Sequence, residues 1–231
     1  MIYEKLDGEK QIQYNLMKSL LQYINKMSDR FVLKGGTALM LGYGLDRFSE
    51  DIDLDGFDRK IGQFIEKYCD LNDLECHCIK NTSTVIRYMI KYNEKNNPLK
   101  VEVSFKEKNL DENKFEKIDD INIYNINNLL IMKNNAYNHR DKIRDLYDIV
   151  FILNNYKEQI NEYVLDVIKD SFTHKGLEQF DYLIQTQSDP LIDNVKLAMD
   201  FLSVFDKLEL LTDELDYSQD KEEPTYGGYE R

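Results

Sequence analysis

The chain has 231 residues, 42% of them hydrophobic and 32% charged, and a formal net charge of −13. This length supports one domain or two small ones around a sizeable core, while the charge gives a poor surface for gripping long duplex DNA, where affinity rests on neutralising phosphates. No run of about 20 apolar residues is present and Met1-Ile2-Tyr3-Glu4-Lys5 leads into no apolar stretch, so neither a membrane span nor a secretory signal is expected.

Three cysteines, Cys69, Cys76 and Cys78, form no even framework. They point to a reducing, cytoplasmic compartment. Cys76-His77-Cys78 lacks the second ligand pair that zinc requires, so these are expected to be buried strand cysteines.

In chain order, Gln11 to Met27 places Leu16, Leu20, Leu21, Ile24 and Met27 at helical spacing. Phe31-Val32-Leu33 is a short strand leading into Gly35-Gly36, and Thr37 opens a helix to Leu41. Ile52 and Leu54 alternate with Asp51, Asp53 and Asp55, the period of a strand with one acidic face. Lys60 to Tyr68 is a helix; Leu74 to Ile79, Thr84 to Tyr92 and Leu99 to Phe105 are strands. In the last, Glu102 and Ser104 share the face opposite Val101, Val103 and Phe105. After about residue 120 helices take over: Leu129 to Tyr137, Ile143 to Leu153, Ile160 to Ile168, Leu177 to Ile184 and Val195 to Leu211. Pro190 is expected to start the last of these. The acidic end, with nine acids against three bases in residues 206–231, finishes in a polar stretch from Ser218 to Arg231 expected to fray. The sixteen tyrosines are expected in the helical core and its rim.

The chemistry concentrates at Gly35-Gly36-Thr37 and Asp51-Ile52-Asp53. Two carboxylates two residues apart on a strand point the same way, about 7 Å apart, and their repulsion favours a hard, oxygen-seeking cation such as Mg²⁺ or Mn²⁺. Glu102 joins them if its strand lies alongside. Asp-x-Asp alone also fits a solvated strand end, and Gly-Gly a plain turn; together, fifteen residues apart, they suggest a metal site beside a bend that lets backbone amides approach a phosphate. Neither the P-loop spacing nor a dinucleotide fingerprint is present. Further on, Lys133, Tyr137 and Arg140 lie near one helical face, with Lys133 expected to meet a phosphate. Arg144 and Asp148 stand at the i,i+4 spacing that permits an ion pair. His77, His139 and His174 build no triad.

Strand, Gly-Gly-Thr, helix and Ser49-Glu50-Asp51-Ile52-Asp53-Leu54 resemble the nucleotidyltransferase superfamily typified by DNA polymerase beta. The fuller strings, Leu33 to Leu39 and Arg47 to Leu54, with Lys133, Ala136 and Arg144-Asp145-Leu146-Tyr147-Asp148 downstream, resemble the AbiEii/AbiGii toxin family over roughly residues 30 to 150. The resemblance implies an α/β (α+β) fold: a nucleotidyltransferase-like mixed-sheet catalytic domain over residues 1–120, then a helical domain over 121–231 with an acidic tail. It implies an enzyme that moves a nucleotidyl group from a nucleoside triphosphate with Mg²⁺ or Mn²⁺. Gly35, Gly36, Thr37 and Ser49 would surround the triphosphate; Lys133 and Arg144 would serve nucleotide binding. Asp51, Asp53 and Glu102 would hold metal, Glu102 standing where aspartate is commoner. Catalysis would fall to these three and Asp148, with Glu102 preferred as base and Asp148 orienting Lys133 or Arg144. RNA is the implied acceptor, with protein or a small molecule as alternatives, and a separately encoded antitoxin the implied partner. The competing readings are a nucleotide-binding or interaction protein of the same fold without transfer, and a structural protein.

Overall fold

The computed structural model describes residues 2–93 and 97–210. The first long helix, α1 (Gly8–Met27), is capped by Asp7, whose carboxylate accepts the Lys10 amide at 2.9 Å. Leu16, Leu20, Leu21 and Ile24 are buried on its inner face. β1 (Phe31–Lys34) passes directly into α2 (Gly35–Gly42). The entry requires glycine: Gly35 has φ +77°, a left-handed value that side-chain-bearing residues rarely adopt. β2 (Ile52–Gly56), α3 (Ile61–Leu71), β3 (Glu75–Asn81), β4 (Val85–Lys91) and β5 (Leu99–Ser104) follow.

Two further strands, β6 (Phe115–Ile118) and β7 (Ile121–Tyr124), form a hairpin absent from the expected elements. Its turn is Asp119-Asp120, with φ of +49° and +64°, the backbone a two-residue hairpin loop demands and one that aspartate tolerates. β7 pairs parallel to β1, so the change from sheet to helices comes at Ile126. The seven strands run in the order β3-β4-β5-β2-β1-β7-β6. β1 and β2 are antiparallel; β2 and β5 are parallel.

The helical part comprises α4 (Ile126–Arg140), α5 (Ile143–Tyr156), α6 (Glu162–Thr186) and α7 (Asn194–Lys207). α6 breaks at Gly176 (φ +63°, ψ −178°), between the two helical stretches expected there. Phe172, Phe180, Phe201 and Phe205 stack in its core. Buried tyrosines are not confined to the helical part: Tyr88 and Tyr124 lie in the sheet, Tyr68 on α3 and Tyr43 at the end of α2. Pro190 does not start the last helix: Asp193 caps it, accepting the Val195 and Lys196 amides, and Pro190 lies in the preceding turn. Aspartate wins because its side chain satisfies two orphan amides at the helix start. The expectation for Ser218 to Arg231 falls outside the described residues. The cysteine expectation is corrected too: Cys76 is half-buried and Cys78 exposed on the edge strand β3, and the buried Cys69 is helical. No described helix is long and apolar enough to cross a membrane.

Candidate active site

β2 carries the acids. Parallel pairing with β5 sets Asp53 directly opposite Glu102, and in-register neighbours on adjacent strands project to the same face. Extending that register by two residues sets Asp51 beside Lys100. The four side chains form one polar face. Lys100 Nζ lies 2.5 Å from Asp51 Oδ2, and Arg87 on β4 donates to Glu102 at 2.6 Å. The Asp53 carboxylate receives no hydrogen bond or ion pair from a described residue. Burial pushes its carboxyl above the usual range; the charges of Asp51 and Glu102 push the same way, and Lys100 and Lys34 offset them in part. Asp55, next along the face, is already satisfied by Lys34 (2.5 Å) and the Tyr124 hydroxyl (3.0 Å).

The glycine turn covers Asp53. A β-carbon on Gly35 would lie 3.5 Å from Asp53 Oδ2. One on Gly36 would strike Ser49 Oγ at 2.9 Å and Arg47 Nη2 at 3.0 Å, so only glycine fits against these groups. Thr37 is buried; its hydroxyl donates to the Asp51 carbonyl and shares a second hydrogen bond with the Ser49 hydroxyl (2.9 Å). It thus ties the turn to β2 and holds its hydroxyl out of the adjoining cleft.

Beneath the turn lies an ion network. Arg47, 4% exposed, grips Asp148 with two hydrogen bonds of 2.8 and 2.6 Å, and Lys133 reaches the same fully buried carboxylate at 2.6 Å. Burial opposes the Asp148 charge, yet Lys133 and Arg47 together outweigh it and hold the carboxyl below its usual value. Asp145 is bound by Arg140 at 2.6 and 2.8 Å and lies 3.5 Å from Lys133. The Arg144–Asp148 pair that the spacing permits does not form. Arg144 turns outward to Asp189 and Glu50, while Asp148 faces inward to Arg47, 101 positions away in the chain. Two buried cations outcompete an exposed local pair because a buried carboxylate must be fully compensated.

A cleft of about 780 Å³ runs between the sheet's acidic face and the helices. Gly36, Ser49, Asp51, Asp53, Lys133 and Arg144 line it; Gly35, Thr37, Glu102 and Asp148 are not among its lining residues. Six cationic side chains (Arg47, Lys100, Lys133, Arg140, Lys142, Arg144) meet five acids (Glu50, Asp51, Asp53, Asp145, Asp189) along its walls. On a chain of net charge −13 this is a local excess of cation, suited to a polyphosphate. Among the described residues no group of three or more His, Cys, Asp or Glu side chains stands ready-made for a metal ion. The donor chemistry nonetheless fits a hard dication: all three groups are carboxylates, on one face. Lys100 and Arg87 act as countercharges to the outer two.

Sequence reasoning missed Arg47, Lys100 and Arg87 as members of the site. Lys100 had a readable signal, lying two residues before Glu102 and so on its face. Arg47 stood inside the motif but its partner is remote, and Arg87 depends on strand pairing.

The model of one family, described as nucleotidyl transferase AbiEii toxin, Type IV TA system, matches residues 19–225. Among solved structures the chain is similar to JHP933 from Helicobacter pylori, with 30% identity and a TM-score of 0.71 over 88% of this chain and 95% of that one. It is also similar to a "putative nucleotidyltransferase" from H. pylori, with 28% identity and a TM-score of 0.67 over 88% and 98%. Among curated proteins no significant match is found.

Proposed function

This chain belongs to the AbiEii family of nucleotidyltransferase toxins, and on that premise we propose that it transfers a nucleoside monophosphate from a nucleoside triphosphate to a hydroxyl of RNA, in the cytoplasm, under control of a separately encoded antitoxin. The observation that carries the proposal is Asp53, against the Gly35 turn and at the wall of a cation-rich cleft, with Glu102 beside it in strand register.

In this reading the triphosphate lies along the cleft with its phosphates against the backbone of Gly35 and Gly36 and the hydroxyl of Ser49. Lys133 and Arg144 offset its charge. Asp51, Asp53 and Glu102 would hold Mg²⁺ or Mn²⁺, which when bound supplies charge stabilisation at the reacting phosphate. The acceptor oxygen forms a bond to the α-phosphorus, the bond to the bridging α–β oxygen breaks, and pyrophosphate leaves. Glu102 takes the proton of the acceptor hydroxyl. Asp148 is assigned no proton: fully buried and bound by two cations, it positions Arg47 against Gly36 and Lys133 at the cleft.

The Lys100 and Arg87 pairings on two of the three carboxylates favour a second reading, nucleotide binding without transfer. One experiment separates the two. Each α-labelled nucleoside triphosphate is supplied with Mg²⁺ or Mn²⁺ to total RNA and, separately, to cell protein, with wild type and the double variant Asp51→Ala, Asp53→Ala. Label in RNA that vanishes in the double variant is the expected result. Nucleotide binding with no labelled acceptor of either kind favours the second reading, and label confined to protein removes RNA as acceptor.

A further inference from the structure

The three carboxylates of the site share their face with one lysine. Lys100 projects beside Asp51, 2.5 Å away, two residues from Glu102 on the same strand, and it lines the cleft. Both partners of that ion pair keep contact with solvent, with side-chain exposures of 32% and 43%. Such a pair contributes little and exchanges readily. The contrast with Lys133 is sharp: its side chain is 10% exposed and its ammonium is fixed between two buried aspartates.

We propose that Lys100 is an exchangeable counter-ion of the carboxylate site: it holds the place of a divalent cation while the cleft is empty and moves to the triphosphate when a metal–nucleotide complex enters. The inference rests on the reading of Asp51, Asp53 and Glu102 as metal ligands, and adds how their loading is regulated. An ammonium at 2.5 Å from one carboxylate disfavours a dication arriving alone, since two cations then compete for the same oxygens. A dication arriving with a triphosphate brings the lysine a new set of acceptors on the other wall of the cleft. No covalent step is involved. The carboxylates lose one cation and gain another, and the lysine exchanges a carboxylate for a phosphate. Arg87 does not serve this purpose, because its bond to Glu102 comes from the β4 side and it does not line the cleft. The site would then load metal and nucleotide together and discriminate against free metal.

The two halves of the exchange give opposite signs in one variant. In Lys100→Met the full chain, titrated calorimetrically with Mn²⁺ alone, binds roughly fivefold tighter than wild type, the effect of removing one exposed ion pair. The same variant, titrated with inorganic tripolyphosphate in EDTA, binds more weakly by a similar factor. A residue that merely supports the fold would weaken both. Lys100→Arg keeps the charge and is expected to retain wild-type Mn²⁺ affinity; Lys100→Gln substitutes for Lys100→Met if melting shows that the methionine variant is unfolded. Mn²⁺ affinity unchanged or reduced in the neutral variant, or an arginine variant that behaves like it, overturns the role of Lys100. If Asp53→Asn still abolishes Mn²⁺ binding in that case, the carboxylate site stands without it. Mn²⁺ binding that is absent from wild type and Lys100→Met alike, or that survives Asp53→Asn in both, overturns the metal site and the exchange together.

Discussion

Two sets of charges lie on either side of the glycine turn, and they are built on opposite principles. The Arg47–Asp148–Lys133 network is buried, with one carboxylate held by two cations from different elements. The Asp51–Asp53–Glu102 set meets a cleft through Asp51 and Asp53, its outer members matched to partly exposed cations and its central carboxylate to none among the described residues. Geometry that must not change is made from desolvated ions that are costly to separate. Geometry that must accept a substrate is made from ions that water already screens. The turn sits between them, with Arg47 against Gly36 on one side and Asp53 against Gly35 on the other.

The largest effects should come from breaking the buried set. Asp148→Ala leaves Arg47 and Lys133 without their shared carboxylate, and Arg47→Ala leaves Asp148 with one cation. Each is expected to cost about 3–5 kcal/mol in denaturant-induced unfolding. Asp53→Asn should act oppositely. The Asp53 carboxyl is raised by burial and by neighbouring acids, so its charged form opposes folding at neutral pH. The variant should melt at or above the wild-type temperature while losing nucleotidyl transfer. A large loss of stability in Asp53→Asn would show that this set, too, holds the fold.

Acid titration sharpens the same contrast. Asp148 lies below its usual value in the folded chain, so its contribution is present above the ordinary aspartate range, near pH 4, and is lost as pH falls through the folded value. Asp53 lies above its usual value, so lowering the pH from neutral removes an unfavourable charge before that loss begins. Urea midpoints measured from pH 7 to pH 3 should therefore show the Asp53→Asn advantage shrinking as acid is added. The disadvantage of Asp148→Ala should shrink only at the acid end. The smallest effect belongs to Arg144→Ala, whose side chain is itself 40% exposed where it bonds Asp189 and Glu50. Stability should fall by less than about 1 kcal/mol, with weakened triphosphate binding as the main readout.

What the sequence disclosed follows from how local each signal is. The strand, the Gly-Gly bend and the Asp51–Asp53 spacing sit within about two dozen residues, and the period of a strand is enough to aim those carboxylates together. Glu102 was also legible, because its alternation with Val101 and Val103 marks its face. The register that brings it opposite Asp53 comes only from strand pairing. Arg47 could not be read, since its role depends on a carboxylate 101 positions later. The local Arg144–Asp148 pair is not made for a related reason: helical spacing permits an i,i+4 pair but cannot reveal a stronger distant partner. The β6–β7 hairpin escaped because Asp119-Asp120 is not among the commoner turn pairs and Asn122 interrupts the apolar pattern of a buried strand.

The central claim is that the acids under the glycine turn support transfer of a nucleotidyl group. It is tested most directly by following two labels at once, one on the α-phosphate and one on the γ-phosphate of the same nucleoside triphosphate. The account predicts the α-label on the acceptor and the γ-label in pyrophosphate in equal amounts, with both signals lost in folded Asp53→Asn. The γ-label on the acceptor, or undiminished α-label transfer by folded Asp53→Asn, would contradict it.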